Sequence, residues 1–136
     1  MKYLKPFHFF FGIGMLITFT LTGKYMHYRY NHLQGMPDLE RALFRAEHIY
    51  ILLISLVNLG LGTYLTTFKS KILTIFQLIG SLSITTASVL MVYSFFTELP
   101  SQIIERPISR NALYLILGGV LFHAFTQIIK KYTENK

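Results

Sequence analysis

Four apolar runs alternate with short polar segments along the chain, at residues 6–22, 48–67, 72–96 and 112–129. Each is close to the roughly 20 residues that a helix needs to cross the hydrocarbon core of a bilayer. A backbone in lipid must satisfy its own hydrogen bonds, and runs this long do so as helices rather than as barrel strands. With their polar flanks the spans extend over 6–30, 38–67, 71–97 and 109–131. The pattern predicts one all-α domain, residues 1–136, folded in the membrane as an antiparallel four-helix bundle. The first run has the basic end and apolar middle of a signal peptide, but no small-x-small cleavage site follows, so it reads as the first span.

Local signals refine the elements. "TGKYMHYRYNHL" contains no helix breaker, so helix 1 should continue to Leu33 and stop at "QGMP". Asp38 is placed to cap helix 2 and Ser109 to cap helix 4. "TTFKSK" is a tight turn that makes spans 2 and 3 neighbours. "ELPSQIIERPISRN", with Pro100 and Pro107 around a short apolar piece, reads as an interfacial turn.

Composition agrees with the pattern. Only 14% of residues are charged and 52% are hydrophobic, too little charge to solvate a water-soluble domain of this length. Absence of cysteine excludes disulfides, zinc–thiolate sites and iron–sulfur clusters within this chain, and without tryptophan the interfacial belts fall to Tyr and Phe. The net charge of +7 is divided among membrane-flanking segments. That distribution suits anionic lipid headgroups and argues against nucleic acid.

The kinds of charge are segregated. One end of the bundle would carry Lys2, Lys5, Lys69, Lys71, Lys130, Lys131 and Lys136 with Glu134. The other would carry Lys24, Arg29, Arg41, Arg45, Arg106 and Arg110 with Asp38, Glu40, Glu47, Glu98 and Glu105. Lysine is a strongly hydrated anchor, whereas arginine favours fixed bidentate pairing with carboxylate or phosphate. This asymmetry places both termini in the cytoplasm of a bacterium, the protein in the inner membrane, and an Arg/acid layer on the outer face. Snorkelling explains the lysines but not the gathering of acids beside arginines.

Arg41, Arg45, His48, Glu98, Glu105, Arg106 and Arg110 therefore form the candidate ligand-binding layer, with the carboxylates orienting the arginines. The competing reading is a structural ion-pair layer. Along span 2 a polar stripe runs through Arg41, Arg45, His48, Ser55 and Gly62, with Asn58 beside Ser55; Glu47 falls off it, facing span 1 or another chain. Ser55, Asn58, His123 and Gln127 are the intramembrane polar residues. Such hydrogen bonds between helices are worth about 0.6–2 kcal/mol each. His123 is a candidate because ionisable groups in spans tend to be functional; the structural alternative is a neutral imidazole bonded to a carbonyl or a span 3 hydroxyl. On span 3, Gly80, Ile84, Ala87, Met91, Ser94 and Glu98 make a small-residue packing face.

Small membrane four-helix anchors can hold haem b between two histidines at one depth. His48 and His123 differ by about 16 Å along the membrane normal, and His8 and His123 by several ångströms. His27 and His48, with His32 nearby, are the matched pair for haem or a metal ion.

"RALFRAEHIYILLISLVNLGLGTYL", preceded by "YNHL" and followed by "ERPISRNALYLILGGVLFH", resembles a group of small bacterial four-span membrane proteins that share an Arg-x-x-His-Ile-Tyr start and an Asn-Leu-x-Leu-Gly-x-Tyr segment. The resemblance covers most of the chain. A weaker likeness is to the MAPEG family of glutathione-handling membrane enzymes, with Arg41, Arg45, Glu47, Asn58 and Arg110 as nearest matches. The Arg-x-x-Asn-x-x-Glu order of that family is replaced here by "RAEHIYI". Three functions follow as expectations: a non-catalytic accessory subunit or binder of a lipid or quinone headgroup, a haem b redox anchor, or a MAPEG-like transferase. The first expectation includes self-association or a place in a larger membrane complex.

Overall fold

The computed structural model describes residues 3–66, 68, 70–98 and 104–134. Lys2, Lys69, Lys136 and the turn around Pro100 lie outside them. The elements are α1 (Leu4–Arg29), a 3-10 turn (Asn31–Leu33), α2 (Asp38–Tyr64), α3 (Lys71–Thr97) and α4 (Pro107–Glu134). All four α-helices are long and apolar enough to cross a membrane. Large apolar side chains such as Phe10, Ile17, Leu82 and Leu121 face outward, as lipid solvation requires. The molecule is an all-α four-helix membrane bundle.

Helix ends depart from expectation in three places. Helix α1 stops at Arg29 rather than Leu33, because Asn31, His32 and Leu33 all take left-handed backbone angles (φ 43°, 56° and 62°). That conformation is costly for residues with a Cβ. Here it folds Leu33 back into the core, next to the contact between Tyr30 and Phe44. Asp38 does not cap α2; Pro37 holds that position, and Asp38 sits in the first turn, 3.2 Å from Arg41. There its charge still favours the helix dipole. Ser109 does not cap α4 either. Pro107 takes the first helical position, which suits its fixed φ and missing N–H, and Ser109 lies two residues inside.

The bundle is built as two pairs. Helix α1 packs chiefly on α2, and α3 chiefly on α4. Glycine permits both close approaches: a Cβ on Gly62 would lie 2.5 Å from the Phe9 N and Cα, and one on Gly12 would lie 2.8 Å from the Leu59 N. In the second pair, Gly80 and Gly119 each face the other's carbonyl oxygen. Small-residue contact of this kind replaces the hydrophobic effect as the glue between helices in lipid. Between the pairs, Ile51 and Ile54 of α2 and Ile84, Ala87 and Met91 of α3 supply a buried apolar layer. Polar side chains cross this seam above and below that layer.

Candidate functional site

At the end of the bundle that holds the 3-10 turn, Glu47 leaves α2 and enters the second helix pair. It is fully buried. Ser94 of α3 donates to its Oε2 (3.1 Å), Arg106 donates to its Oε1 (3.4 Å), and Ser109 donates to the same Oε1. Glu98, where α3 ends, receives the Ile108 and Ser109 backbone N–H groups (2.7 and 3.1 Å) and the Ser109 hydroxyl. Its carboxylate thus caps α4 in place of a local side chain, satisfying donors that a helix start leaves open. The Ser109 hydroxyl has one hydrogen and meets both carboxyl groups. This layer ties α2, the end of α3 and the start of α4 together.

The expected ligand layer divides here. Glu98 and Arg106 come together through Glu47 and Ser109, while Arg45, Glu105 and Arg110 are exposed. Arg41 is held by Asp38 and the Met36 carbonyl. His48 faces α1, stacked on Phe19 at 4.0 Å between ring centroids, and donates from Nδ1 to Thr22 (3.0 Å). Glu47, read from the sequence as facing span 1 or another chain, is its centre, facing α3 and α4 instead, and Arg45, placed on the inward stripe, is outside. The inward positions of α2 are Phe44, Glu47, Ile51, Ile54, Ser55, Asn58 and Gly62. The difference is a rotation by one residue at the top of the helix.

The second polar layer lies towards the chain termini and joins all four helices. Asn58 donates from Nδ2 to the Ile54 carbonyl (2.9 Å), so its Oδ1 faces His8 Nδ1 (2.8 Å). An amide oxygen only accepts, so His8 carries its hydrogen on Nδ1 and its Nε2 accepts from the Ser81 hydroxyl (2.8 Å). Having donated there, Ser81 accepts from His123 Nε2 (3.2 Å). Asn58 also reaches Ser88 (3.4 Å). His8, Asn58, Ser81 and His123 are all buried. Among the described residues, His123 Nδ1 and the Ser55 hydroxyl are buried without a hydrogen-bond partner. Gln127 accepts from Thr66 (2.9 Å), whose carbonyl receives Gln77 (2.7 Å).

His8 and His123 have ring centroids 6.2 Å apart, with the Ser81 hydroxyl between them. That hydroxyl occupies the place an iron would need. The other candidate haem ligands each have a neighbour of their own: His27 bonds His32 (3.0 Å) and His48 bonds Thr22. Among the described residues no three of His, Cys, Asp and Glu converge on a metal position.

A cleft of about 200 Å³ opens between α2 and α4 beside His123. Gly60, Leu61 and Tyr64 form one wall, and Val120, His123 and Gln127 the other. The imidazole edge bearing Cδ2 and Nε2 faces α3, against Gly80 and Ser81. Nδ1 therefore lies on the ring edge turned away from α3, and the residue itself lines the cleft. Sequence reading singled out His123 and Gln127 and offered a span 3 hydroxyl as a His123 partner, which Ser81 supplies; it set His8 aside as lying at another depth. Compared with known proteins, the chain matches no family model, no curated protein and no solved structure, so its functional reading stands on this geometry.

Proposed function

We propose that this protein of the bacterial inner membrane, with both termini cytoplasmic, binds rather than converts a lipid-soluble ring headgroup of the quinone type, held in the α2–α4 cleft. The observation that carries the reading is the His123 Nδ1, a buried nitrogen without a partner among the described residues, on a side chain that lines the cleft. An unsatisfied buried polar atom costs about 1–3 kcal/mol, which a ligand bringing a donor recovers. Ligand pockets for whole drug-sized molecules run to about 300–1,000 Å³. A cleft of about 200 Å³ suits a single ring, with its tail left in the bilayer. The charged layer supports a structural role instead, since Glu47, Glu98, Arg106 and Ser109 bond one another. Exposed Arg45 and Arg110 at that end suit lipid phosphates.

The test uses protein in phospholipid vesicles titrated with a decyl-tailed ubiquinol analogue. Emission comes from tyrosine alone because tryptophan is absent, and Tyr64 lines the cleft. A Cβ on Gly60 would meet nothing within 4 Å, so the backbone there accepts a side chain, and Gly60→Leu adds one to the cleft wall. We expect saturable quenching in the parent protein and at least about tenfold weaker binding in Gly60→Leu, equivalent to about 1.4 kcal/mol, at unchanged thermal stability. Equal affinity of the two proteins would rule out this cleft.

A further inference from the structure

We infer that the cleft selects the reduced, hydroxyl-bearing form of such a ring, a quinol, over the oxidised quinone. The inference rests on the headgroup reading above and adds a direction to it. That direction comes from the far end of the hydrogen-bond chain. The Ile54 carbonyl can only accept, so it fixes which end of the Asn58 amide faces α1. The amide oxygen can only accept, so it places the His8 hydrogen on Nδ1. His8 Nε2 is then an acceptor, Ser81 must donate to it, and Ser81 must receive from His123 Nε2. Each link removes the freedom of the next. An imidazole in apolar surroundings is stable as the neutral form unless a counter-charge accompanies it, and the groups bonded to these two rings are an amide and a hydroxyl. With its one hydrogen on Nε2, His123 has only a lone pair on Nδ1.

A lone pair accepts and does not donate. A phenolic hydroxyl of a quinol supplies the missing hydrogen. A quinone carbonyl at the same place would set two acceptors against each other in a dry site, leaving both unsatisfied. Sites built to hydrogen-bond one form reject the form that lacks the bond far more strongly than apolar pockets reject a changed methylene. Here the discriminating atom is a single nitrogen, so a preference of about tenfold or more is expected.

The experiment compares the decyl-tailed ubiquinol analogue with its quinone in the parent protein and in Ser81→Ala. The quinol should bind at least about tenfold more tightly to the parent. Ser81→Ala removes the acceptor for His123 Nε2 without touching the cleft wall, which frees the ring to carry its hydrogen on either nitrogen. Binding should persist in that variant while the preference narrows to within a factor of about three. Nitrogen-15 spectra of the histidine rings read the same point without ligand: His123 should show a protonated Nε2 and a bare Nδ1 in the parent and a tautomer mixture in Ser81→Ala. Equal affinity for the two redox forms in the parent, or a protonated His123 Nδ1, overturns the selectivity while leaving headgroup binding standing. If neither form binds, the headgroup reading falls and the selectivity with it.

Discussion

Replacing Glu47 by alanine is expected to lower the stability of the bundle by about 3 kcal/mol. Removing one member of a buried ion pair costs roughly 3–5 kcal/mol, because the other is left charged and alone. The side chain of Arg106 is 11% exposed and keeps the Leu43 carbonyl as a partner, which argues for the lower end of that range. Two further groups lose an acceptor in the same change, the Ser94 and Ser109 hydroxyls. By comparison, a neutral intramembrane hydrogen bond such as that of Asn58 with His8 contributes about 0.6–2 kcal/mol. Charge, not the number of bonds, decides the ranking.

Glu47→Gln separates the two contributions. The amide keeps an oxygen to accept from Ser94, but its nitrogen takes the place of the oxygen that Arg106 and Ser109 share, so Arg106 still loses its counter-charge. The loss should then be smaller than that of Glu47→Ala only by the retained bond, about 1 kcal/mol. Unfolding of parent, Glu47→Ala and Glu47→Gln in matched detergent, followed by helical circular dichroism, reads both values. An alanine variant as stable as the parent would mean that the layer does not hold the helix pairs together. Because Glu47 reaches from the first pair to both helices of the second, its loss should also loosen α4, whose start is held by the same cluster through Ser109.

Much of this architecture was legible in the sequence, because lipid makes length and apolarity decisive. Four runs near the bilayer thickness leave little choice of fold, and Gly80, Ala87 and Ser94 announced the packing face of α3. The rotation of α2 was harder to read. Arg45 and His48 align with Ser55 at helical spacing as well as Glu47 aligns with Asn58 and Gly62, and charge alone does not say which stripe turns inward. The close approach at Gly62 settles it, since whatever shares its face must lie against α1 or between the pairs. The partners of His8 were missed for a related reason. This histidine is the one polar side chain among Pro6 to Phe11, and its partners Asn58 and Ser81 lie 50 and 73 residues away. No local pattern encodes a contact at that separation. The left-handed turn at Asn31–Leu33 carries no glycine signal, and only the burial of Leu33 accounts for it.

Gly62→Ala is expected to destabilise by about 2–3 kcal/mol, although it adds a single methyl group. The new Cβ would lie 2.5 Å from both the N and Cα of Phe9. Those are backbone atoms of a helix and cannot turn aside as a side chain can, so α1 and α2 must separate. Gly14→Ala and Gly118→Ala are the controls, because a Cβ at either position meets nothing within 4 Å. Both should be neutral or slightly stabilising, since alanine is the better helix former. The damage at Gly62 should also reach beyond packing. Phe9 adjoins His8, so moving α1 away from α2 lengthens the 2.8 Å bond between His8 and Asn58 that sets the direction of the whole chain. Gly62→Ala should therefore lose quinol preference together with stability, and combining it with Asn58→Leu should cost less than the sum of the two changes. Additive losses, or a Gly62→Ala protein as stable as Gly14→Ala, would show that the glycine contact and the polar chain do not act as one unit.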